Sequence, residues 1–181
     1  NVSDMMFTNY QYVLKSYENE DGDIITTNNK DAEKFNMTSL QHKSDTLDEE
    51  ISVYGIEDDS RYVKISDQSA LKWNEAYISA SYADKYSLSV GDTVVLENKQ
   101  YEFEVAGIYD HSQALAVFLS NEQYCEIFDM DSDAFTGYLS DSEITDIDED
   151  EIATVITEHD ITKMCDQLDH SMGSYMTYFQ Y

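Results

Sequence analysis

The chain has 181 residues, enough for one domain or two small lobes sharing a core and too few for two large independent domains. Lys and Arg number 10 against 38 Asp and Glu, a formal charge of −28, and Arg61 is the only arginine. Nucleic-acid binding is excluded, because it needs cations that displace counterions from phosphate; docking on an anionic lipid surface through a basic patch is disfavoured, and an aromatic share of 13% excludes a disordered acidic tail.

No stretch approaches the roughly 20 apolar residues of a membrane span, and residues 1–15 lack the basic start and apolar run of a signal peptide. As given the sequence reads as soluble, and its start at Asn1 instead of Met reads as the edge of a trimmed fragment. Cys125 and Cys165 leave two readings open: two buried thiols, or one disulfide closing a loop of 165 − 125 = 40 residues. Proline is absent, so turns fall to Gly, Asn, Asp and Ser.

In chain order, Tyr10, Tyr12 and Leu14 alternate with Gln11, Val13 and Lys15, which predicts a strand ended by the acidic turn Glu18 to Asp23 around Gly22. Lys30 to Phe35 predicts a short helix. Met37 to His42 and Ile51 to Tyr54 predict strands, followed by a turn at Gly55 and Glu57 to Ser60. Ala76 to Ile78 predicts another strand, with Ser79 or Ser81 capping a helix through Tyr86. Val90-Gly91-Asp92 turns the chain into Thr93 to Leu96, and Asn98-Lys99 predicts a two-residue hairpin loop. Tyr101, Phe103 and Val105 then alternate with Glu102, Glu104 and Ala106, the pattern of a sheet with one buried and one wet face.

Leu115 to Leu119 predicts a strand. In Ser120-Asn-Glu-Gln123 a capping box is expected, the Ser120 hydroxyl accepting from the Gln123 amide while the Gln123 side chain reaches back, opening a helix to Phe128. Phe135 to Leu139 and Ile152 to Ile156 predict two more strands. Thr157 opens the longest predicted helix, with Ile161, Met164, Cys165, Leu168, Met172, Tyr175 and Met176 on one face. The organisation is α+β, mixed strands and short helices with a long amphipathic C-terminal helix. A single domain over 1–181 is expected, with lobes at 1–75 and 76–156 and a terminal helix at 157–181.

Two segments, Asp129-Met-Asp131-Ser-Asp133 and Asp146-Ile-Asp148-Glu-Asp150, begin like calcium-binding loops. They lack the sixth-position Gly and twelfth-position Glu, carrying Ala134 and Ser140 in one case and Glu151 and Thr157 in the other. A solvated acidic face is expected from both, with weak Ca²⁺ binding as the alternative. His42, His111, His159 and His170 have no zinc spacing and are expected at the surface. GxSxG and phosphate-cradling glycine loops are absent, and nothing near Cys125 in sequence would activate its thiol. Neither a catalytic residue, a cofactor nor a metal is assigned, and the chain is read as no enzyme. Tyr175, Tyr178, Phe179 and Tyr181 crowd the end of the chain. They suit either a membrane headgroup layer or the packed end of an amphipathic helix.

The run Tyr77-Ile-Ser-Ala-Ser-Tyr-Ala-Asp-Lys-Tyr-Ser-Leu-Ser-Val-Gly91-Asp92, followed by Tyr101-Glu-Phe-Glu-Val-Ala-Gly107-Ile108-Tyr109, resembles the extracytoplasmic domain of FtsX-like and MacB-like ABC transporter permeases. The similarity continues through Val117 to Ser120, Phe135 to Ser140 and Thr157 to Asp160, to Gln167-Leu168 and Ser171-Met172-Gly173. It covers residues 50–175 well and the first 50 loosely. The resemblance implies the MacB-like periplasmic core fold, inserted after a first transmembrane helix of the same chain, with both termini facing the bilayer. That would account together for the trimmed start, the missing spans and the aromatic tail. It further implies a domain on the extracellular face of the cell membrane with no catalysis of its own, and with no outer-membrane partner evident and only two cysteines a surface of Gram-positive type is expected. A cytoplasmic ATPase subunit would hydrolyse ATP, a second permease subunit would complete the transporter, and the domain would transmit motion to an extracellular peptide, lipid, lipoprotein or partner protein. Under it Gly91, Asp92 and Gly107 are fold determinants, and Tyr175, Tyr178, Phe179 and Tyr181 are membrane-proximal. A stand-alone secreted protein that holds cations or cationic peptides on its acidic surface is the competing reading.

Overall fold

The computed structural model describes residues 8–44, 47–64, 73–110 and 114–157. Thr157, expected to open the C-terminal helix, is the last residue of a strand; the rest of that predicted helix, with Cys165 and the four tail aromatics, lies outside the described residues. The fold is α+β, with nine strands and two short helices among the described residues. It divides into a central unit, residues 35–134, and a terminal unit formed by 1–34 with 135–181.

The central unit carries six strands in the order β5-β6-β4-β7-β3-β2: β2 (Glu33–His42), which enters the unit at Phe35, β3 (Glu49–Ile56), β4 (Glu75–Ser79), β5 (Thr93–Leu96), β6 (Tyr101–Tyr109) and β7 (Ala116–Ser120). Pairing is mixed. β3 with β7 and β4 with β6 run parallel, whereas β2 with β3, β4 with β7 and β5 with β6 run antiparallel. Alternate residues of each strand turn to one face, so Ile51 and Val53, Ala76 and Ile78, Phe103 and Val105, and Val117 and Leu119 meet in one cluster. Helices α1 (Ala80–Tyr86) and α2 (Asn121–Ile127) close that cluster with Tyr82, Ala83 and Tyr124. The opposite residues form an aromatic layer in which Phe118 stacks on Tyr54 at 5.4 Å and meets Tyr109 edge-on at 5.0 Å. The Tyr109 hydroxyl donates to the Tyr62 carbonyl at 3.1 Å.

The terminal unit is a three-stranded antiparallel sheet, β8-β1-β9, of β1 (Tyr10–Leu14), β8 (Gly137–Ser140) and β9 (Ile152–Thr157), with one 3₁₀ turn at Glu149–Glu151. Its core is small and aromatic: Tyr12, Leu14, Ile25, Phe135, Tyr138, Ile144 and Ile147. Gly137 lies so close to β1 that a Cβ there would stand 1.7 Å from the Tyr12 carbonyl oxygen.

Several local expectations change. Lys30 to Phe35 is a turn and the start of β2, because the Asn29 side chain takes the Asp31 amide at 2.8 Å and this Asx turn competes with a helix. Gly55 lies inside β3, beneath Tyr124 of α2, and the turn begins after Ile56. The β5–β6 loop holds four residues, 97–100, since Leu96 pairs with Tyr101, and Glu97, Asn98 and Lys99 all have positive φ. Ser120 does cap α2, accepting from the Gln123 amide at 3.2 Å. The reciprocal half of the box is absent: the Gln123 side chain turns away, donating to the Glu75 carbonyl at 3.0 Å and accepting from the Asn74 amide.

Candidate functional site

The first feature of functional interest is the end of the terminal unit where the described chain enters and leaves. Tyr10, the first residue of β1, is the Cα partner of Thr157, the last of β9. Because the pair is antiparallel, the chain before residue 10 and the chain after residue 157 depart from the same end of the sheet. Thr8 is buried there, its hydroxyl donating to the Ser140 carbonyl at 2.8 Å, and Asn9 Nδ2 donates to the Asp141 carbonyl at 3.0 Å. Tyr175, Tyr178, Phe179 and Tyr181 belong to the chain beyond this exit, outside the described residues.

Gly91, Asp92 and Gly107 all fall in the central unit. Gly91 has φ 97°, a left-handed conformation that favours glycine, and its amide donates to the Val105 carbonyl at 2.8 Å. The Asp92 carboxylate accepts from the Ser89 amide at 2.8 Å, and its carbonyl accepts from the Val105 amide at 2.8 Å. Together they fasten the turn to β6. Gly107 pairs with Tyr77 of β4 beside a register shift, and a Cβ there would come within 2.4 Å of the Tyr77 ring.

His42 departs from its expected place at the surface. Half-buried, it stacks on Tyr86 with centroids 3.9 Å apart, and its Nδ1 lies 2.5 Å from the Tyr82 hydroxyl. Burial lowers its pKa from 6.5, against a smaller upward pull from Glu49. Glu49, only 4% exposed, accepts from Lys85 Nζ at 2.6 Å and from the Tyr86 hydroxyl, which satisfies the carboxylate as a buried charge requires. No sequence spacing announces this group, whose hydrogen-bonded pairs join residues 36 to 40 positions apart across β2, β3 and α1.

The acidic segments also acquire internal work. Asp146 accepts from the Thr27 hydroxyl at 2.5 Å and the Asn28 amide at 2.6 Å. These bonds hold its pKa below 3.8, the backbone bond most strongly. Asp148 accepts from the Asp150 amide at 3.0 Å. Among the described residues no group of three or more His, Cys, Asp or Glu is placed to hold a metal ion, and no helix is long and apolar enough to cross a membrane. Cys125 is buried, and burial raises the pKa of its thiol.

One concave feature of the central unit escaped sequence reasoning. An open cleft of about 730 Å³ lies between the end of β3, the start of β4 and α2, lined by Glu57, Asp58, Trp73, Glu122, Glu126 and Asp129 over a floor that includes Asn121 and Cys125. Trp73 is 57% exposed. Its neighbour Asn74 has φ 66°; the Asn74 amide donates to the Gln123 side chain of α2, which donates in turn to the Glu75 carbonyl, and the Asn74 carbonyl accepts from the Glu104 amide at 2.7 Å. The only sequence signal was an isolated Trp in a polar stretch.

No family model matches the chain, and no curated protein matches it. Among solved structures, it is similar to the extracellular domain of noncanonic ABC-type transporter YknZ from Gram-positive bacteria, with 16% identity and a TM-score of 0.46 over 75% of this chain and 83% of that one. It is also similar to the periplasmic region of MacB from Actinobacillus actinomycetemcomitans, with 10% identity and a TM-score of 0.45 over 92% of this chain and 95% of that one.

Proposed function

We propose that this chain is the extracytoplasmic domain of a bacterial ABC transporter permease, on the extracellular face of the cell membrane. The observation that carries the reading is the pairing of Tyr10 with Thr157. A domain inserted between two transmembrane helices must receive the chain and return it at one place, and an antiparallel pair of first and last strands provides that. The order of motifs from Tyr77 to Tyr109 supports the same assignment.

In this reading the chain performs no catalysis. A cytoplasmic ATPase subunit hydrolyses ATP, the permease helices of this chain and of a second subunit move, and the segment after Thr157, with Tyr175, Tyr178, Phe179 and Tyr181 at the headgroup layer, transmits the motion. Gly91, Asp92 and Gly107 keep the β5–β6 arm in shape. The domain acts on an extracellular peptide, lipid, lipoprotein or partner protein.

The test is expression of the native gene with its flanking sequence, followed by carbonate extraction of membranes and protease treatment of intact cells. The expected product resists extraction and exposes this domain to external protease. A product released free into the medium would overturn the assignment in favour of a secreted acidic protein.

A further inference from the structure

We propose that the cleft beside Trp73 is a binding site for an arginine side chain presented by a peptide. This does not rest on the membrane assignment, since the cleft lies within the central unit.

Three properties of the cleft converge on that ligand. Glu57, Asp58, Glu122, Glu126 and Asp129 line it, and no Lys, Arg or His is among the described residues that do. From the described residues, a cation entering this concave site meets charge of one sign, focused by the walls. The second property is the indole, an element independent of the carboxylates: a large ring that lines the cleft and is left more than half exposed, on a stretch of chain whose next two residues, Asn74 and Glu75, are tied to Gln123 through their backbone. A cation attracted by carboxylates gains further by lying over the face of a tryptophan. The third is the spacing. No three of these carboxylates group closely enough to hold a metal ion, and a cavity of about 730 Å³ admits an extended organic cation.

Among organic cations, guanidinium fits better than ammonium. It is planar, stacks on an aromatic face and presents two parallel N–H donors to a carboxylate, whereas a lysine ammonium is a compact, strongly hydrated charge. α2 supplies Glu122 and Glu126 four residues apart, on one side of a helix, and the Met130 side chain adds apolar surface for the arginine stem.

Trp73 is the only tryptophan of the chain, so its fluorescence reports the site directly. The experiment titrates the 1–181 chain with a blocked tripeptide, acetyl-Gly-Arg-Gly-amide, and with its lysine and citrulline counterparts. Citrulline keeps the shape of arginine and removes the charge. The expected result is a saturable change in Trp73 emission with arginine, about threefold weaker binding with lysine and at least about tenfold weaker with citrulline. Glu122→Gln with Glu126→Gln should weaken arginine binding about tenfold, while the equal charge change Glu20→Gln with Asp21→Asn, at an exposed turn of the terminal unit, should leave it within twofold. Equal binding of citrulline, equal losses in the two double variants, or no saturable change would overturn the proposal. Lysine binding as tightly as arginine would overturn the guanidinium assignment. Circular dichroism of each variant checks folding, and Trp73→Phe, which keeps an aromatic face, should retain part of the arginine affinity measured by calorimetry.

Discussion

The central and terminal units solve the same problem with different materials. In the central unit a continuous stretch of chain buries aliphatic residues and phenylalanines on both faces of a mixed sheet, and nearly every strand contributes side chains with almost no exposure. The terminal unit draws on both ends of the chain and has seven core residues. It makes up the difference with tyrosine hydroxyls and carboxylates tied to loop backbone. Tyr138 donates to the Ile25 carbonyl at 2.6 Å, Tyr12 accepts from the Ile144 amide at 2.8 Å, and Asp146 holds Thr27 and Asn28. Each unit also holds a titrating group whose pKa the fold lowers, Asp146 in the terminal unit and His42 in the central one, so the two should respond to acid in different pH ranges.

The largest expected effect lies in the central unit. Phe103→Ala removes a ring that is 1% exposed and should cost about 3–5 kcal/mol, read as a lower denaturation midpoint with faster amide exchange in β4, β5 and β6. Next comes Gly137→Ala. The clash there is with backbone, which cannot swing aside, so a loss of about 3 kcal/mol or more is expected, with exchange accelerated in β1 and β8. Tyr138→Phe should cost about 1–2 kcal/mol by leaving the Ile25 carbonyl without its donor. A change below a few tenths in that variant would mean that the hydroxyl bonds do not hold the terminal unit.

Two pH effects sharpen the contrast. The folded pKa of Asp146 is depressed, so its contribution is present above the unfolded value near 3.8 and is lost as pH falls through the folded value. Asp146→Asn should flatten that acid limb, measured by amide exchange at Asn28. His42 is also depressed, by burial. Its unfolded form binds more protons just below pH 6.5, so stability of the central unit should fall as pH drops from about 6.5 toward the folded value, then level off. His42→Asn should remove that slope. A slope that persists would place the titration elsewhere.

Much of the sheet was legible in the sequence, because alternation survives wherever one face is buried and the other is not: the strand through Tyr101, Phe103 and Val105 reads off directly. Local chemistry was legible too, as in the Ser79 and Ser120 caps, whose hydroxyls accept from Tyr82 and Gln123. Of the two serines proposed to cap α1, Ser79 does so and Ser81 donates to the Ala114 carbonyl at 2.9 Å. What sequence reasoning missed depends on partners distant in the chain. The Gln123 side chain left its capping box because Asn74 and Glu75 offered better-placed groups. His42 found Tyr82 and Tyr86, and Gly55 reads as a turn residue until Tyr124 is seen above it. The cleft at Trp73 belongs to this class as well, since β3, β4 and α2 are separated by long stretches and are brought together by the β3–β7 and β4–β7 pairings.

The most direct test of the central claim concerns the shared exit of the chain. Tyr10 and Thr157 are antiparallel partners, about 4.5–5.5 Å apart at Cα, within the range that a disulfide spans. Cysteines placed at both positions of the native, full-length product should be oxidised to one disulfide, found by mass spectrometry of a non-reduced digest of the membrane fraction. That result is what the pairing of the first and last described strands requires, and the proposed insertion of the domain depends on that pairing. Both thiols free under oxidant in a folded protein would contradict it, and with it the placement of this domain between two membrane helices.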